Sequence, residues 1–107
     1  MDRRRIHAIA RHLRGALPHD LPVRVRLVPS PRRAPQHGDC TRSDNRYMLT
    51  ITLHLPTDAA VGVLLHEWAH VISWGLDGDD DHGEMFCEAR RVVFDAYLEW
   101  LGYGRNG

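Results

Sequence analysis

His66-Glu67-Trp68-Ala69-His70 is an H-E-x-x-H motif inside a segment with helical periodicity. Residues four apart lie on the same face of a helix, so His66 and His70 can direct two imidazole nitrogens at one point. Glu67 lies beside that point. Two neutral nitrogen donors and an adjacent carboxylate suit a Zn²⁺ ion and a base for its water. The motif therefore predicts a zinc-dependent hydrolase, and in particular a peptidase.

The sequence around the motif predicts a central, largely buried helix. Its apolar residues form a broad surface and are Val61, Leu64, Leu65, Trp68, Val71 and Ile72. Thr57 and Asp58 are the predicted amino-terminal cap, residues 59–74 contain no proline, and Gly75 is the predicted stop. Polar side chains in such a helix need partners, because unpaired buried polar groups are costly. A metal ion would be that partner for the two histidines.

A third ligand is predicted in the segment His82-Gly83-Glu84-Met85-Phe86, at the start of the following helix. His82 comes twelve residues after His70, which is enough chain to leave one helix, turn at Gly75 and return. Gly83 permits close approach of the chain, and Phe86 can anchor the new helix in the core. The predicted metal ligands are therefore His66, His70 and His82.

Other classes of zinc peptidase use a different third ligand. A metzincin would extend the motif as H-x-x-G-x-x-H, but Ser73 and Leu76 occupy those two positions. A thermolysin-like site would use a glutamate from the next helix, where Glu84 and Glu88 are available. Glu88 is thus an alternative ligand. We favour His82 as the ligand and assign Glu88 a hydrogen bond with a ligating histidine.

The remaining periodicities predict an α+β fold around the motif helix. Alternating apolar residues indicate strands, and apolar residues three or four apart indicate helices. The predicted elements are helices over 3–16, 59–74 and 83–101, strands over 23–27 and 47–55, and a short strand near 38–41. Residues 29–46 otherwise form a loop that is long for a small domain. We predict one domain over residues 1–107, with a small sheet of two to three strands against the helices.

Arginine is concentrated in the first half of the chain. Residues 1–46 contain eleven Arg and four Asp, a net charge of +7, whereas residues 47–107 contain three Arg and ten acidic residues, a net charge of −7. A basic half can attract phosphate backbones or acidic substrates. The distribution predicts weak, salt-sensitive nucleic-acid binding. Mutual neutralisation of the two halves is the competing interpretation, and the charge pattern favours it slightly.

Cysteine content and hydropathy predict the compartment. Neither Cys40 nor Cys87 lies in a C-x-x-C motif, which excludes a zinc ribbon or finger and favours free thiols. No export signal follows the amino terminus, and no apolar run approaches the roughly 18 residues that span a bilayer. These features predict a cytoplasmic protein that does not enter the membrane.

The layout of residues 45–101 resembles that of SprT-like minimal zinc metallopeptidases: a strand, an H-E-x-x-H helix, a short loop and H-G-x-x-F opening a helix. His66-Glu67-Trp68-Ala69-His70 is similar to the active-site helix of that family, and His82-Gly83-Glu84-Met85-Phe86 to its third-ligand segment. The resemblance implies a zincin fold and Zn²⁺ held by three histidines. It also implies hydrolysis of protein or peptide substrates by a zinc-activated water, with Glu67 as general base. The larger members carry a zinc ribbon and a DNA-binding extension, which this sequence does not show.

Contacts with a substrate are less well defined by the sequence. The strand over 47–55 is a candidate edge for an extended peptide, which would add to the sheet as a further strand. Tyr47, Tyr97 and Tyr103 are candidate oxyanion donors by residue type alone, and packing is the favoured role for each.

Two other functions are compatible with parts of the sequence. Asp77, Asp79, Asp81 and Glu88 fall at positions 1, 3, 5 and 12 of an EF-hand-like calcium loop, but His82 stands where the turn requires glycine. A non-catalytic zinc-binding module, or one that binds protein or nucleic acid, would use the histidines without a hydrolytic role for Glu67. Structural zinc sites usually close all four positions with protein ligands, whereas three histidines leave one open. The sequence therefore favours the peptidase.

Overall fold

The computed structural model describes residues 1–29, 37–78, 80 and 82–103. Its elements are α1 (Arg3–Ala16), β1 (Val23–Val28), β2 (Gly38–Arg42), β3 (Tyr47–Thr52), α2 (Thr57–Ile72) and α3 (Glu84–Leu101). The predicted α+β fold is confirmed, with an amino-terminal helix, a three-stranded sheet and two carboxy-terminal helices. The long loop predicted over 29–46 contains β2, and residues 30–36 of it lie outside the described residues.

The sheet is mixed and has β3 at its centre. The strand order is β1-β3-β2, with β1 parallel and β2 antiparallel to β3. Tyr47, Leu49 and Ile51 alternate along β3 and are buried, as expected for one face of a strand. A parallel pair cannot be joined by a tight hairpin, so the chain forms β2 before it returns to pair β3 with β1.

The end of β3 differs from the sequence prediction. The predicted extension of this strand to residue 55 is wrong, because ladder pairing stops at Thr52. The Leu55 N–H is directed back to the Thr52 carbonyl (3.5 Å), which makes a turn. Pro56 follows and has no N–H to contribute to a ladder. Leu55 is nevertheless buried in the core, so its apolar side chain is explained by packing and does not indicate a strand.

Helix α1 is amphipathic and packs one stripe into the core. The residues of this stripe are all fully buried and are Ile6, Ile9, Ala10 and Leu13. The Asp2 side chain caps the helix by accepting a hydrogen bond from the Arg5 N–H (3.1 Å). The helix ends at Ala16, shortly before Pro18, which could not continue it.

The amino terminus of α2 also differs from the prediction. The predicted cap at Thr57 and Asp58 is wrong, because the helix already begins at Thr57 and its N-cap residue, Pro56, has no side chain that could cap it. The Thr57 hydroxyl instead accepts a hydrogen bond from the Asp2 N–H (2.8 Å). This contact joins the start of α2 to the start of α1.

Helix α2 is the central element and contacts β2, β3, α1 and α3. Leu64, Trp68 and Ala69 are fully buried along it. The helix ends at Ile72, two residues before its predicted end, and the turn that follows includes Gly75 at a φ of 75°. Among the described residues, no helix combines the length and the apolar character needed to cross a membrane.

Candidate metal centre

Three histidine side chains converge between α2 and the start of α3. His66 and His70 lie one turn apart on α2, and His82 comes from the segment just before α3. One ring nitrogen of each lies within 4.8 Å of the others, and the Nε2 atoms of His66 and His82 are 3.3 Å apart. The structure therefore brings the three residues of the predicted ligand set into one group, which could hold a metal ion. We call these residues the three-histidine group.

The spacing and chemistry of the group fit a small transition-metal ion. Two nitrogens that bind one ion tetrahedrally at ~2.1 Å are about 3.4 Å apart. The His66 and His82 Nε2 atoms are 3.3 Å apart, close to that value. Burial lowers the pKa of His66, and the neighbouring His70 and His82 lower it further, which favours the neutral imidazole that binds metals. Imidazole suits first-row transition metals, whereas Mg²⁺ and Ca²⁺ prefer oxygen.

Phe86 packs against all three histidine rings. The centroid of its ring is 5.0 Å from that of His66, 4.5 Å from that of His70 and 4.8 Å from that of His82. Only 3% of Phe86 is exposed, so it also fixes the first turn of α3 in the core. The predicted anchoring role of Phe86 is confirmed, and its packing restricts the orientations of the three rings.

Asp77 holds the segment that carries His82, a role that the sequence analysis missed. Its two carboxylate oxygens accept hydrogen bonds from the backbone N–H groups of Met85 and Phe86, both at 2.9 Å. The carboxylate thus satisfies amides at the start of α3, where Gly83 provides no side-chain cap. A Cβ at Gly83 would lie 2.8 Å from the Asp77 carboxylate, which confirms that Gly83 permits a close approach.

Asp77→Ala is expected to weaken both the fold and metal binding. The substitution leaves two helix-terminal amides without a partner, and loss of such a cap costs about 1–2 kcal/mol of unfolding free energy. Affinity for a metal ion should fall roughly tenfold or more, the usual size for a residue that orients metal ligands. Denaturant unfolding and competition against a chromophoric chelator measure the two effects. Asp95→Ala, an exposed residue on α3, is the matched control, and equal behaviour of the two variants would refute the role of Asp77.

Glu67 lies beside the three-histidine group and is 9% exposed. Burial, reinforced by the negative charge of Asp39, raises the pKa of its carboxyl group to about 7. A carboxyl group with such a pKa can take up and release a proton near neutral pH, which is the property required of a general base.

A cleft of about 520 Å³ lies in front of Glu67 and the three-histidine group. Its walls come from the first residues of β2, from α2 and from the turn after α2, and include Gly38, Cys40 and Trp74. A Cβ at Gly38 would overlap the Val63 side chain, so glycine lets β2 pack closely against α2. The sequence pattern did not identify these cleft residues, because their proximity to α2 depends on the pairing of β2 with β3.

Cys40 lines the cleft as a protonated thiol. Burial raises the pKa of this thiol to about 12, and the charges of Glu67 and Asp39 contribute. Among the described residues, the ligand atoms that lie close enough together to hold a metal ion belong to the three histidines, and Cys40 is not in that group. Cys40 and Cys87 are both unpaired, as predicted.

The structure corrects one predicted substrate contact. β3 is paired on both sides, so the prediction that it offers a free edge to a peptide is wrong. The edge strand at the cleft is β2, which pairs with β3 alone within the described chain.

Among the residues that the structure describes, those that line the cleft include none of the three candidate tyrosines. Tyr47 donates its hydroxyl to Asp20 (2.6 Å), and Tyr103 is 76% exposed. Tyr97 stacks against the Trp100 ring. The packing roles favoured from the sequence describe Tyr47 and Tyr97 correctly.

Glu88 and the acidic loop have other contacts than those predicted. The Glu88 side chain is 63% exposed, and its Oε2 atom lies 3.7 Å from Nη1 of Arg91. Glu88 thus lies on the solvent face of α3 and outside the three-histidine group, and its hydrogen bond with a ligating histidine stays a prediction. In the EF-hand interpretation, Asp77 would bind calcium, yet both of its oxygens accept backbone hydrogen bonds. Asp79 and Asp81 lie outside the described residues.

Comparisons of the chain with protein-family models, with curated proteins and with solved structures found no match. Function is therefore inferred from the residues of the site and their geometry. The structure establishes an α+β fold in which three histidines form a group that could hold a metal ion, beside a buried carboxyl group and an open cleft.

Proposed function

We propose that this chain is a zinc-dependent metallopeptidase similar to the SprT-like family, with residues 1–107 as one peptidase domain. One observation carries the proposal: three imidazole nitrogens converge beside the buried Glu67 carboxyl group in a cleft open to solvent. The same residues form the H-E-x-x-H and H-G-x-x-F motifs. Sequence and geometry thus support the same ligand set and the same base.

The donor set supports a catalytic rather than a structural zinc site. Catalytic zinc usually has three protein ligands and an open fourth position, whereas structural zinc has four, often thiolates. Among the described residues, the group contains three histidines and no cysteine. When bound, zinc supplies a Lewis acid that polarises the substrate carbonyl and lowers the pKa of water.

Glu67 is the proposed proton carrier. Its position one residue after His66 holds the carboxyl group beside the metal ligands without making it one of them. As base, Glu67 accepts a proton from the attacking water; as acid, it then donates that proton to the leaving amine nitrogen. Its raised pKa, about 7, is close to the pH at which both steps must occur.

The edge of β2 is the proposed site for the substrate backbone. β2 borders the cleft and pairs on one side with β3 in the described chain, so backbone groups at its other edge can pair with an extended peptide. Strand addition would pass the peptide along Asp39 and Cys40 toward Glu67. An unfolded or flexible protein segment fits this arrangement better than a folded one. Since both cysteines are unpaired, the reducing cytoplasm is the compartment we propose.

Incubation of the zinc-loaded protein with an unfolded substrate such as β-casein tests the proposal. We expect discrete peptide products by mass spectrometry, formed in proportion to the amount of protein and stopped by 1,10-phenanthroline. Zinc added back should restore cleavage. Cleavage that persists in excess chelator and increases with the amount of protein would not depend on zinc and would contradict the proposal, as would intact substrates with fully zinc-loaded protein.

A non-catalytic zinc-binding module is the second candidate, favoured by the same three-histidine group. It needs the histidines but makes no use of the Glu67 carboxyl group. Such a module has no use for a carboxyl group beside the histidines whose pKa is raised by burial, because burying a carboxylate costs stability. The buried Glu67 therefore favours the peptidase.

A further inference from the structure

Trp74 lies in the wall of the cleft, shortly after the end of α2, and is 43% exposed. Apart from the three-histidine group, it is the aromatic side chain in the part of the lining that the structure describes. Clefts that bind ligands are usually lined with apolar and aromatic side chains, and a few polar groups fix the orientation of the ligand. Trp74 therefore offers a ligand the largest apolar surface among the described residues of the lining.

The Trp74 ring is held from one side by Tyr47. The two ring centroids are 5.9 Å apart at an interplanar angle of 67°, which is an edge-to-face contact. Tyr47 is only 2% exposed and donates its hydroxyl to Asp20 (2.6 Å), so the position of its ring is fixed. Gly75 follows Trp74 at a φ of 75° and turns the chain directly after the ring. Trp74 thus needs little reordering to bind a second apolar group on its exposed surface.

The β2 wall of the cleft contributes an uncharged side chain. Cys40 pairs with Leu49 of β3, which is fully buried, so the Cys40 side chain lies on the face of the sheet that packs on α2. Asp39 precedes Cys40, is exposed and points to the opposite face. Because burial raises the pKa of the Cys40 thiol to about 12, this thiol stays neutral near pH 7 and behaves as a small apolar group. Trp74 and Cys40 are therefore two uncharged groups in the lining of one cleft.

A basic substrate side chain fits this part of the cleft less well. The guanidinium carbon of Arg42 lies 5.6 Å from the centroid of the Tyr47 ring, which contacts Trp74. A cation is thus already present beside this aromatic pair, and a second one would be repelled. The carboxylate of Asp77 accepts two backbone hydrogen bonds, and that of Asp80 accepts one from the backbone two residues later (3.1 Å). These two acidic side chains of the lining therefore stabilise the segment before α3.

Strand β2 and helix α2 run in the same direction along the cleft. A Cβ at Gly38 would overlap the Val63 side chain, so the start of β2 lies against the middle of α2. The end of β2 lies toward Trp74, because Arg42 pairs with Tyr47, which contacts the Trp74 ring. A peptide that pairs antiparallel with β2, the slightly more stable arrangement, therefore enters at Trp74 and leaves at Gly38. Trp74 then contacts a residue on the amino-terminal side of the scissile bond.

We propose that Trp74 determines the specificity of the cleft and selects peptides with a large apolar side chain on the amino-terminal side of the scissile bond. Such a side chain would pack on the exposed surface of Trp74 and against the Cys40 thiol, and all three groups would lose contact with water. This inference rests on the proposed function, because it names the class of substrate that the same site accepts.

Cleavage of a library of random peptides, blocked at both ends, tests the preference with the zinc-loaded full chain. Mass spectrometry of the products should show large apolar residues, such as phenylalanine and leucine, enriched at one position before the cut. The best-cleaved peptide is then made as a matched pair that has either phenylalanine or alanine at that position. The ratio of the two kcat/KM values measures the preference.

Trp74→Ala should lower kcat/KM about tenfold or more for the phenylalanine peptide and less than about threefold for the alanine peptide, because the alanine peptide has little contact to lose. Trp74→Phe should keep most of the preference. Phe94→Ala is the matched control and should change neither value, because Phe94 is an aromatic residue of α3, 50% exposed and outside the lining of the cleft. Circular dichroism checks folding, and Trp74→Gln replaces Trp74→Ala if the alanine variant does not fold.

A binding measurement separates this inference from the proposed hydrolysis. The zinc-loaded Glu67→Gln variant is immobilised and incubated with the same library, and the retained peptides are sequenced. Peptides with large apolar residues should be retained, and Trp74→Ala in the same background should lose this preference. If such peptides bind through Trp74 but the parental chain cleaves none of them, the proposed hydrolysis is wrong and recognition by Trp74 stands.

Three outcomes would overturn the role of Trp74. The first is a library in which charged or small residues, and not large apolar ones, are enriched among the cleaved and the retained peptides. The second is an equal loss of kcat/KM for the phenylalanine and alanine peptides in a folded Trp74→Ala variant, which would indicate a structural role alone. The third is an apolar preference that lies on the carboxy-terminal side of the cut.

Discussion

Glu67→Gln is expected to abolish peptide hydrolysis while leaving zinc bound. Glutamine has nearly the same shape as glutamate but cannot accept the proton of the attacking water. The cleavage rate should therefore fall by about 10²- to 10⁴-fold, the usual contribution of a general base. The three-histidine group is unchanged, so about one zinc per chain should remain. Cleavage of β-casein and metal analysis on the same sample measure both quantities.

Glu88→Gln is the matched control for this experiment. It is the same chemical change at an exposed residue of α3, outside the three-histidine group. Parental cleavage and parental zinc content are expected for it. If Glu67→Gln cleaves at the parental rate, Glu67 is not the base. If Glu67→Gln binds no zinc, its carboxyl group belongs to the metal site itself, and the proposed division of roles is wrong.

Removing zinc should markedly destabilise the fold. An ion that binds the folded chain alone stabilises it by about 4 kcal/mol when free zinc is about 1,000 times its Kd. For a chain of this size, that corresponds to a shift of the melting temperature on the order of 10 °C or more. The effect should centre on the segment between α2 and α3, because His82 joins that segment to α2. Differential scanning calorimetry with zinc and with chelator measures the shift.

His82→Ala should remove most of this zinc-dependent stabilisation. His54→Ala is the matched control, because His54 is exposed and lies outside the three-histidine group. The control should keep the full shift. A His82→Ala variant with the parental shift would exclude His82 as a ligand. Loss of the shift in His54→Ala as well would mean that zinc stabilises the chain through scattered surface histidines.

The elements that sequence periodicity predicted are those governed by local contacts. Helical spacing alone places His66 and His70 on one face of α2, and apolar spacing predicts the buried stripe of α1. His82 was predicted from the length of chain needed to leave a helix and return. In each case, residues close in sequence determine the geometry, so the sequence pattern is sufficient to predict the positions of these side chains.

The features that the sequence missed depend on contacts between distant residues. The sequence predicts that Thr57 caps a helix. Its hydroxyl instead accepts a hydrogen bond from the N–H of Asp2, which lies 55 residues earlier in the chain. The prediction that β3 offers a free edge to a peptide is wrong because β3 pairs on both sides. The alternation of apolar and polar residues identifies a strand but not the strands that lie beside it. Asp77 was assigned to an acidic loop, although the short separation in sequence between Asp77 and the start of α3 could have suggested that it caps this helix. Glu88 has suitable spacing but lies on the solvent face of its helix.

X-ray absorption spectroscopy at the zinc edge of the zinc-loaded protein tests the central claim most directly. The claim is that three histidines hold zinc and leave one position open for hydrolysis. It predicts three imidazole ligands at about 2.0–2.1 Å, no sulfur ligand, and a decrease to two imidazoles in His82→Ala. A sulfur ligand near 2.3 Å, a fourth imidazole, or an unchanged spectrum in His82→Ala would contradict it.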